Sequence, residues 1–142
     1  MLTLRPLRGD DVPGLEMLTA ADVEWKRRLG MPHATWWRLV STDADRFGWL
    51  VISDEEVIGY VDAERDGGTV SMAMAVFESW RGRGHSRKII ELLTTVEPLC
   101  SARALIATVE PDNRASRAVA RSAGFFEDGR DKDGLVIYRM QL

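Results

Sequence analysis

Apolar and polar residues alternate along Leu2-Thr3-Leu4-Arg5-Pro6-Leu7, the period-two pattern of a strand with one buried face. Asp10 or Asp11 then stands where a helix cap would, with Pro13 tolerated in the first turn and Leu15, Leu18 and Ala21 recurring at helical spacing. A second helical stretch, around residues 34–40, carries Trp36 and Trp37. Residues 47–52, 57–64 and 69–76 read as three strands with turn signals between them at Ser53-Asp54-Glu55-Glu56 and Asp66-Gly67-Gly68, a meander of two hairpins. In the third strand Val70, Met72, Met74 and Val76 share one face and Ser71, Ala73 and Ala75 the other, so both faces are candidates for burial. Ile89, Ile90, Leu93 and Val96 repeat at helical spacing as far as Pro98, and a strand follows at residues 104–109. A helix capped by Asn113, with Ala115, Ala118, Val119 and Ser122 as its expected apolar side, is stopped by Gly124. Residues 127–130 and 136–140 form a last hairpin around Lys132-Asp133-Gly134. The order β α α β β β α β α β β predicts a mixed α/β domain whose helices interrupt a mostly antiparallel sheet.

Between the strand ending at Val76 and the helix beginning near Gly84 the chain reads Trp80-Arg81-Gly82-Arg83-Gly84-His85-Ser86-Arg87-Lys88. A glycine-rich turn entering a helix leaves main-chain N–H groups without helical partners, and the helix dipole adds about half a positive charge at that end. Glycine has no Cβ to keep a bulky oxyanion away, and four cations surround the turn. The spacing is not that of a nucleoside-triphosphate loop, and a dinucleotide fingerprint would need a third glycine where Lys88 or Ile89 stands. A pyrophosphate held without a metal fits these residues.

The run Val76-Phe77-Glu78-Ser79-Trp80-Arg81-Gly82-Arg83-Gly84-His85-Ser86 resembles the acetyl-coenzyme A motif of the GCN5-related N-acetyltransferases, V-x-P-x-x-[QR]-x-x-G-x-[GA]. Downstream, Asn113-Arg114-Ala115-Ser116, Val119 and Gly124-Phe125 resemble the family's second signature, N-x-x-[AS]-x-x-L-Y-x-x-x-G-F, and the opening Arg5-Pro6 with Asp10-Asp11 is similar to its usual start. The resemblance covers nearly the whole chain. It implies one GNAT-like domain over residues 1–142, with a central, mostly antiparallel sheet of about seven strands, a splayed parallel pair in its middle and about four flanking helices. It further implies direct acetyl transfer from acetyl-coenzyme A to a primary amine. The main-chain amides of Arg81, Gly82, Arg83, Gly84, His85 and Ser86 would hold the pyrophosphate. The strand edge at Met74 and Val76 would pair with the pantetheine arm, and Asn113 would reach the cofactor from the other side. One of Arg114, Arg117 and Arg121, which share a helix face, would meet the 3′-phosphate.

Three positions depart from the family pattern. Glu78 replaces a proline, Ser86 a Gly or Ala, and Ala120 the tyrosine that protonates the departing thiolate. A thiol with pKa near 8.5 leaves tolerably without an acid, whereas a positioned one is worth about 10²–10⁴-fold. Tyr60, Tyr138 or a water could take its place. The amine must lose a proton, for which Glu64 and Glu110 are the weak carboxylate candidates. Ala120 sustains an alternative, a coenzyme A thioester-binding module without turnover.

Composition narrows the partners. The net charge of −3 conceals a division: residues 1–78 carry eight Lys/Arg and fourteen Asp/Glu, residues 79–121 eight and four. An acidic chain with one basic segment suits a compact anion better than a nucleic acid, and its acidic N-terminal part suits a cationic amine acceptor. Nothing in the sequence spans a bilayer or reads as a signal peptide, so the expected location is the cytoplasm. No Cys/His set has metal-ligand spacing, and no metal is expected. Cys100 is expected to be a small buried hydrophobe and His33 to lie exposed in a loop, while Trp25, Trp36 and Trp37 fit either an acceptor groove or the core. A homodimer is allowed by the resemblance, but no residue marks an interface.

Overall fold

The computed structural model describes residues 1–97 and 99–142. Its strands are β1 (Leu2–Pro6), β2 (Arg46–Ser53), β3 (Glu56–Asp66), β4 (Thr69–Val76), β5 (Ala104–Val109), β6 (Phe126–Arg130) and β7 (Val136–Gln141). Its α-helices are α1 (Val12–Leu18), α2 (Val23–Leu29), α3 (His33–Thr42), α4 (His85–Leu93) and α5 (Arg114–Ser122). In hydrogen-bonding order the strands run β1-β2-β3-β4-β5-β7-β6, with β4 and β5 as a parallel pair. This is the GNAT-like arrangement the motifs implied. The chain gathers into two compact units, residues 1–64 with 73–85 and residues 65–72 with 86–142, and β4 contributes to both.

The first unit is built on β1, β2 and β3, paired antiparallel, with α1, α2 and α3 supplying the apolar residues that cover them. Its core joins Leu7, Leu15, Trp25, Leu29, Trp36, Leu50, Tyr60 and Ala75. The Trp25 and Trp36 rings flank Tyr60 at centroid distances of 4.8 and 5.5 Å. A buried indole needs an acceptor for its N–H. Trp25 donates to His33 Nε2 at 3.0 Å, and Trp36 to Asp62 Oδ1 at 3.1 Å. His33 Nδ1 lies 2.9 Å from Glu16 Oε1, and Asp62 accepts two bonds from Arg46 at 2.8 and 2.7 Å. The Tyr60 hydroxyl is buried without a hydrogen-bond partner among the described residues, and burial pushes the phenol's pKa up.

Two features of this unit differ from the sequence reading. A single helix through Ala21 is expected, but α1 stops at Leu18 and a separate α2 starts at Val23. Thr19 turns its hydroxyl onto Leu15 O at 2.7 Å, Asp22 caps α2 by accepting from Trp25 N, and Gly30 closes it at φ +72°. His33 is the first residue of α3 and buried rather than exposed in a loop, because the Trp25 indole and the Glu16 carboxylate together satisfy both ring nitrogens.

In the second unit the start of β4 pairs with β5 through Thr69↔Ala104, Val70↔Leu105 and Ser71↔Ile106, β5 pairs antiparallel with β7, and β7 with β6. Helix α4 buries Ile89, Ile90 and Leu93, as its spacing predicts, but ends before Val96. The Thr94 and Thr95 hydroxyls take the carbonyls of Glu91 and Leu92, at 2.8 and 2.7 Å, and compete with helix continuation. Pro98, the expected stop, lies outside the described residues. Cys100 is exposed, with its thiol 2.7 Å from Glu97 Oε1, because the short 3-10 turn at Leu99–Ser101 buries Leu99 instead. Among the described residues no helix is long and apolar enough to cross a membrane.

Helix α5 also turns a different side inward than its alanines suggest. Ala120 is buried, whereas Ala115, Ala118 and Ser122 are exposed. Alanine stripes carry little apolar area, and the orientation follows Arg117, whose guanidinium donates to Tyr138 Oη at 3.0 Å, Pro111 O at 2.8 Å and Glu127 Oε1 at 2.8 Å. Arg121 and the Tyr138 hydroxyl reach the same Glu127 oxygen at 2.7 and 3.2 Å.

Two measurements check these contacts. A Cβ on Gly59 would sit 2.7 Å from the Ala75 carbonyl oxygen, so Gly59→Ala should force the backbone of β3 or β4 to move and lower stability by about 1–3 kcal/mol in denaturant unfolding. The bonds from Arg117, Arg121 and Tyr138 hold Glu127 down from the usual 4.5 to about 2. Its contribution should therefore be complete above pH 4.5 and fade as pH falls towards 2, so that wild type and Glu127→Gln converge in stability across that window.

Candidate functional site

Where β4 ends, Phe77 N–H donates to Ile58 O at 2.6 Å, and a short 3-10 turn covers Glu78–Trp80. Arg81 is extended, and its N–H points back to Glu78 O at 3.3 Å, so the run of turn donors begins at Gly82. Gly82 and Gly84 both adopt φ +77°, and a Cβ on either would meet nothing within 4 Å. That pairing of a left-handed backbone conformation with open space is what a main-chain anion cradle needs, since donors must converge and no side chain may intrude. Helix α4 starts at once with His85 and Ser86, so the turn leads straight into a helix N-terminus. The Arg83 guanidinium stacks over the Trp80 ring, 5.2 Å from its centroid, and the Trp80 and His85 rings lie 5.8 Å apart. Among the described residues no group of His, Cys, Asp and Glu could hold a metal ion.

Sequence reasoning missed the residue that holds this turn. Asp22, the cap of α2, is buried, and beyond Trp25 N its carboxylate accepts from Glu78 N at 3.0 Å and from Arg81 Nη2 at 2.7 Å. Burial pushes its pKa up, but the Arg81 bond and the two main-chain bonds outweigh this and leave it below the usual carboxylate value. The capping role was readable from Asp22 ahead of a short amphipathic segment ended by Gly30. The contacts 56 and 59 residues away left no local signal.

The remaining expected residues fall out as follows. Met74 is half-buried and Val76 buried on β4; the ladder to β5 ends at Ser71 and Ile106 although β4 runs on to Val76. Asn113 caps α5, its Oδ1 accepting from Ser116 N at 3.1 Å, so its carbonyl is committed to the cap. Of the three arginines on α5, Arg117 and Arg121 are tied to Glu127, and Arg114 is exposed without an ion pair among the described residues. Ala120 occupies the tyrosine slot, buried, with its carbonyl accepting from Phe125 N.

The acid and base candidates are less favoured by their surroundings. The Tyr138 hydroxyl is engaged by Arg117 and Glu127, and Tyr60 is enclosed between two tryptophans. Glu64 is largely exposed and 3.7 Å from Arg46, while Glu110 stands half-buried just past β5 with its carbonyl accepting from Asn113 N. Trp25 and Trp36 are core residues, and Trp37 is partly buried against that core. An open depression of about 580 Å³ has Leu15, Leu50, Val57 and Phe77 in its lining and Asp10 and Glu56 among its polar residues; none of the expected cofactor residues line it.

Known proteins share this fold. Residues 1–126 match the family model described as an acetyltransferase (GNAT) domain. An uncharacterized N-acetyltransferase from the SPbeta prophage of Bacillus subtilis, YokL, is 25% identical over 138 residues, covering 91% of this chain and 78% of its own. The crystal structure of an acetyltransferase from Thermus thermophilus superposes with a TM-score of 0.82 at 24% identity, covering 100% of this chain and 97% of that one. The aminoglycoside acetyltransferase AAC(6')-Ib, solved with coenzyme A and kanamycin, superposes with a TM-score of 0.81 at 19% identity, covering 99% and 95%.

Proposed function

Since the chain belongs to the GNAT acetyltransferase family, we propose that it moves the acetyl group of acetyl-coenzyme A directly onto a primary amine. The observation that carries the reading is the turn at Gly82 and Gly84, with both glycines at φ +77°, open space in place of a Cβ and a nine-residue helix directly behind. In this reading the N–H groups of Gly82, Arg83, Gly84, His85 and Ser86 take the diphosphate, Arg83 with Arg87 and Lys88 adds charge, and the backbone of Met74 and Val76 pairs with the pantetheine arm. Asn113 contributes its side-chain NH₂, and Arg114 is the arginine of α5 left to meet the 3′-phosphate.

Acetyl-coenzyme A supplies an activated carbonyl whose thiolate is a good enough leaving group to need little help. The chain's own task is then to orient the amine and accept its proton. Glu64, in contact with solvent, would do so through water, and Glu110 is the alternative. Without a phenol at Ala120, protonation of the thiolate falls to water. A cationic acceptor is supported by the excess of carboxylates over residues 1–78, and AAC(6')-Ib with its bound kanamycin shows that this fold can take an amine-rich small molecule. Family membership weighs against a binding module without turnover.

Calorimetric titration with acetyl-coenzyme A should give saturable binding, and ligand at 100 times Kd should stabilise the fold by about 2.7 kcal/mol. Gly84→Val should cost about 1–2 kcal/mol of stability for its positive φ and abolish coenzyme A binding; a folded variant that binds like wild type would refute the assigned cradle. Release of thiol dependent on both acetyl-coenzyme A and one of a panel of amines tests the turnover.

A further inference from the structure

A helix cap needs one acceptor, and Trp25 N–H is the donor that α2 presents to Asp22. Caps of this kind ordinarily sit in water, yet the Asp22 side chain is 2% exposed, and its two other donors come from the turn that follows β4. We propose that Asp22 is a positioning residue for the diphosphate turn: it fixes Glu78 and Arg81, and thereby suspends the Gly82–Gly84 backbone in its binding geometry, with Arg81 as a strut and not a phosphate ligand. The proposal rests on the coenzyme A reading of that turn.

Three observations carry it. Gly82 and Gly84 have no neighbouring atoms within 4 Å of a Cβ position, and the stacking of Arg83 on Trp80 and of Trp80 near His85 is local to the turn, so its anchoring to the fold comes from its ends. One end is helix α4, and the other is Arg81, held 2.7 Å from a buried carboxylate. Drawing the Arg81 guanidinium away to a phosphate would leave that carboxylate buried and unmatched, which opposes such a movement. Glu78, finally, stands where the resemblance places a proline. Proline has no N–H, so the bond from Glu78 to Asp22 at 3.0 Å exists because this chain departs from the pattern.

The test compares wild type with Asp22→Asn, Arg81→Gln, the double variant and Glu78→Pro. Each is titrated with coenzyme A and assayed with acetyl-coenzyme A and with S-acetyl-pantetheine, which lacks the diphosphate. Asn keeps the helix cap but removes the charge, and Phe77 at φ −56°, ψ 144° already has the backbone that precedes a proline, so Glu78→Pro replaces the N–H by a ring carbon that displaces the Asp22 oxygen, and removes the Glu78 side chain with it. Asp22→Asn and Arg81→Gln should each weaken coenzyme A binding about 10- to 100-fold, with the double variant no weaker than the poorer single one. Glu78→Pro should lose about 3- to 10-fold and melt below wild type, since one buried Asp22 oxygen loses its donor. Turnover of S-acetyl-pantetheine should be unchanged in all four. Wild-type affinity in folded Asp22→Asn would overturn the role of Asp22, and additive losses would make Arg81 a phosphate ligand in its own right. Equal losses with S-acetyl-pantetheine would reduce the effect to general loosening. If Asp22→Asn does not fold, Arg81→Gln and Glu78→Pro decide by the same outcomes. A wild-type protein that binds no coenzyme A would instead bring down the diphosphate reading, and this inference with it.

Discussion

Main-chain amides can hold an anion only if the protein leaves them without internal acceptors, and a backbone that satisfies none of its own donors has little to keep it in place. On the proposed reading, the turn from Gly82 to Gly84 lives under that constraint. On that reading its two positive φ angles aim the donors, and the open space at both glycines keeps the way clear, but that space leaves little packing beyond the local stacking of Arg83 on Trp80. Rigidity has to be imported from either side. Helix α4 gives it downstream through buried Ile89, Ile90 and Leu93, and Asp22 gives it upstream through a charge-assisted bond in a site with little water.

The first unit shows how such a carboxylate can be kept below the surface. Trp25 and Trp36 bring large apolar area and one donor each, and the acceptors they require, His33 and Asp62, are in turn matched by Glu16 and Arg46. Polar groups under the helices are therefore arranged in short chains that end in partly exposed ions, which avoids isolated buried charges. Tyr60 is the exception, with its ring used for packing and its hydroxyl unpaired among the described residues.

Strand positions were legible from alternation, because a period of two is local and β2, β3, β4, β5, β6 and β7 begin and end within about two residues of where the pattern puts them. The glycine turn and the helix that follows it were legible too, since they are consecutive in the chain. Helix limits were harder: the end of α1 and the end of α4 are set by threonine hydroxyls taking carbonyls from the preceding turn, and apolar spacing does not register that competition. The inward side of α5 was misjudged because a pattern of alanines was weighed above Arg117, whose three acceptors lie elsewhere in the fold. Asp22 was overlooked for the same reason, its partners being distant in sequence. Loss of the tyrosine at Ala120 was visible at once, since a missing group in a motif needs no tertiary information.

One carboxylate oxygen of Asp22 accepts both from the first turn of α2 and from the Arg81 guanidinium. The start of α2 and the turn after β4 are consequently tied to one side chain, so a displacement of Asp22 disturbs both. A segment that looks peripheral, the few residues between α1 and α2, thus carries the local stability of the turn on the other side of the carboxylate.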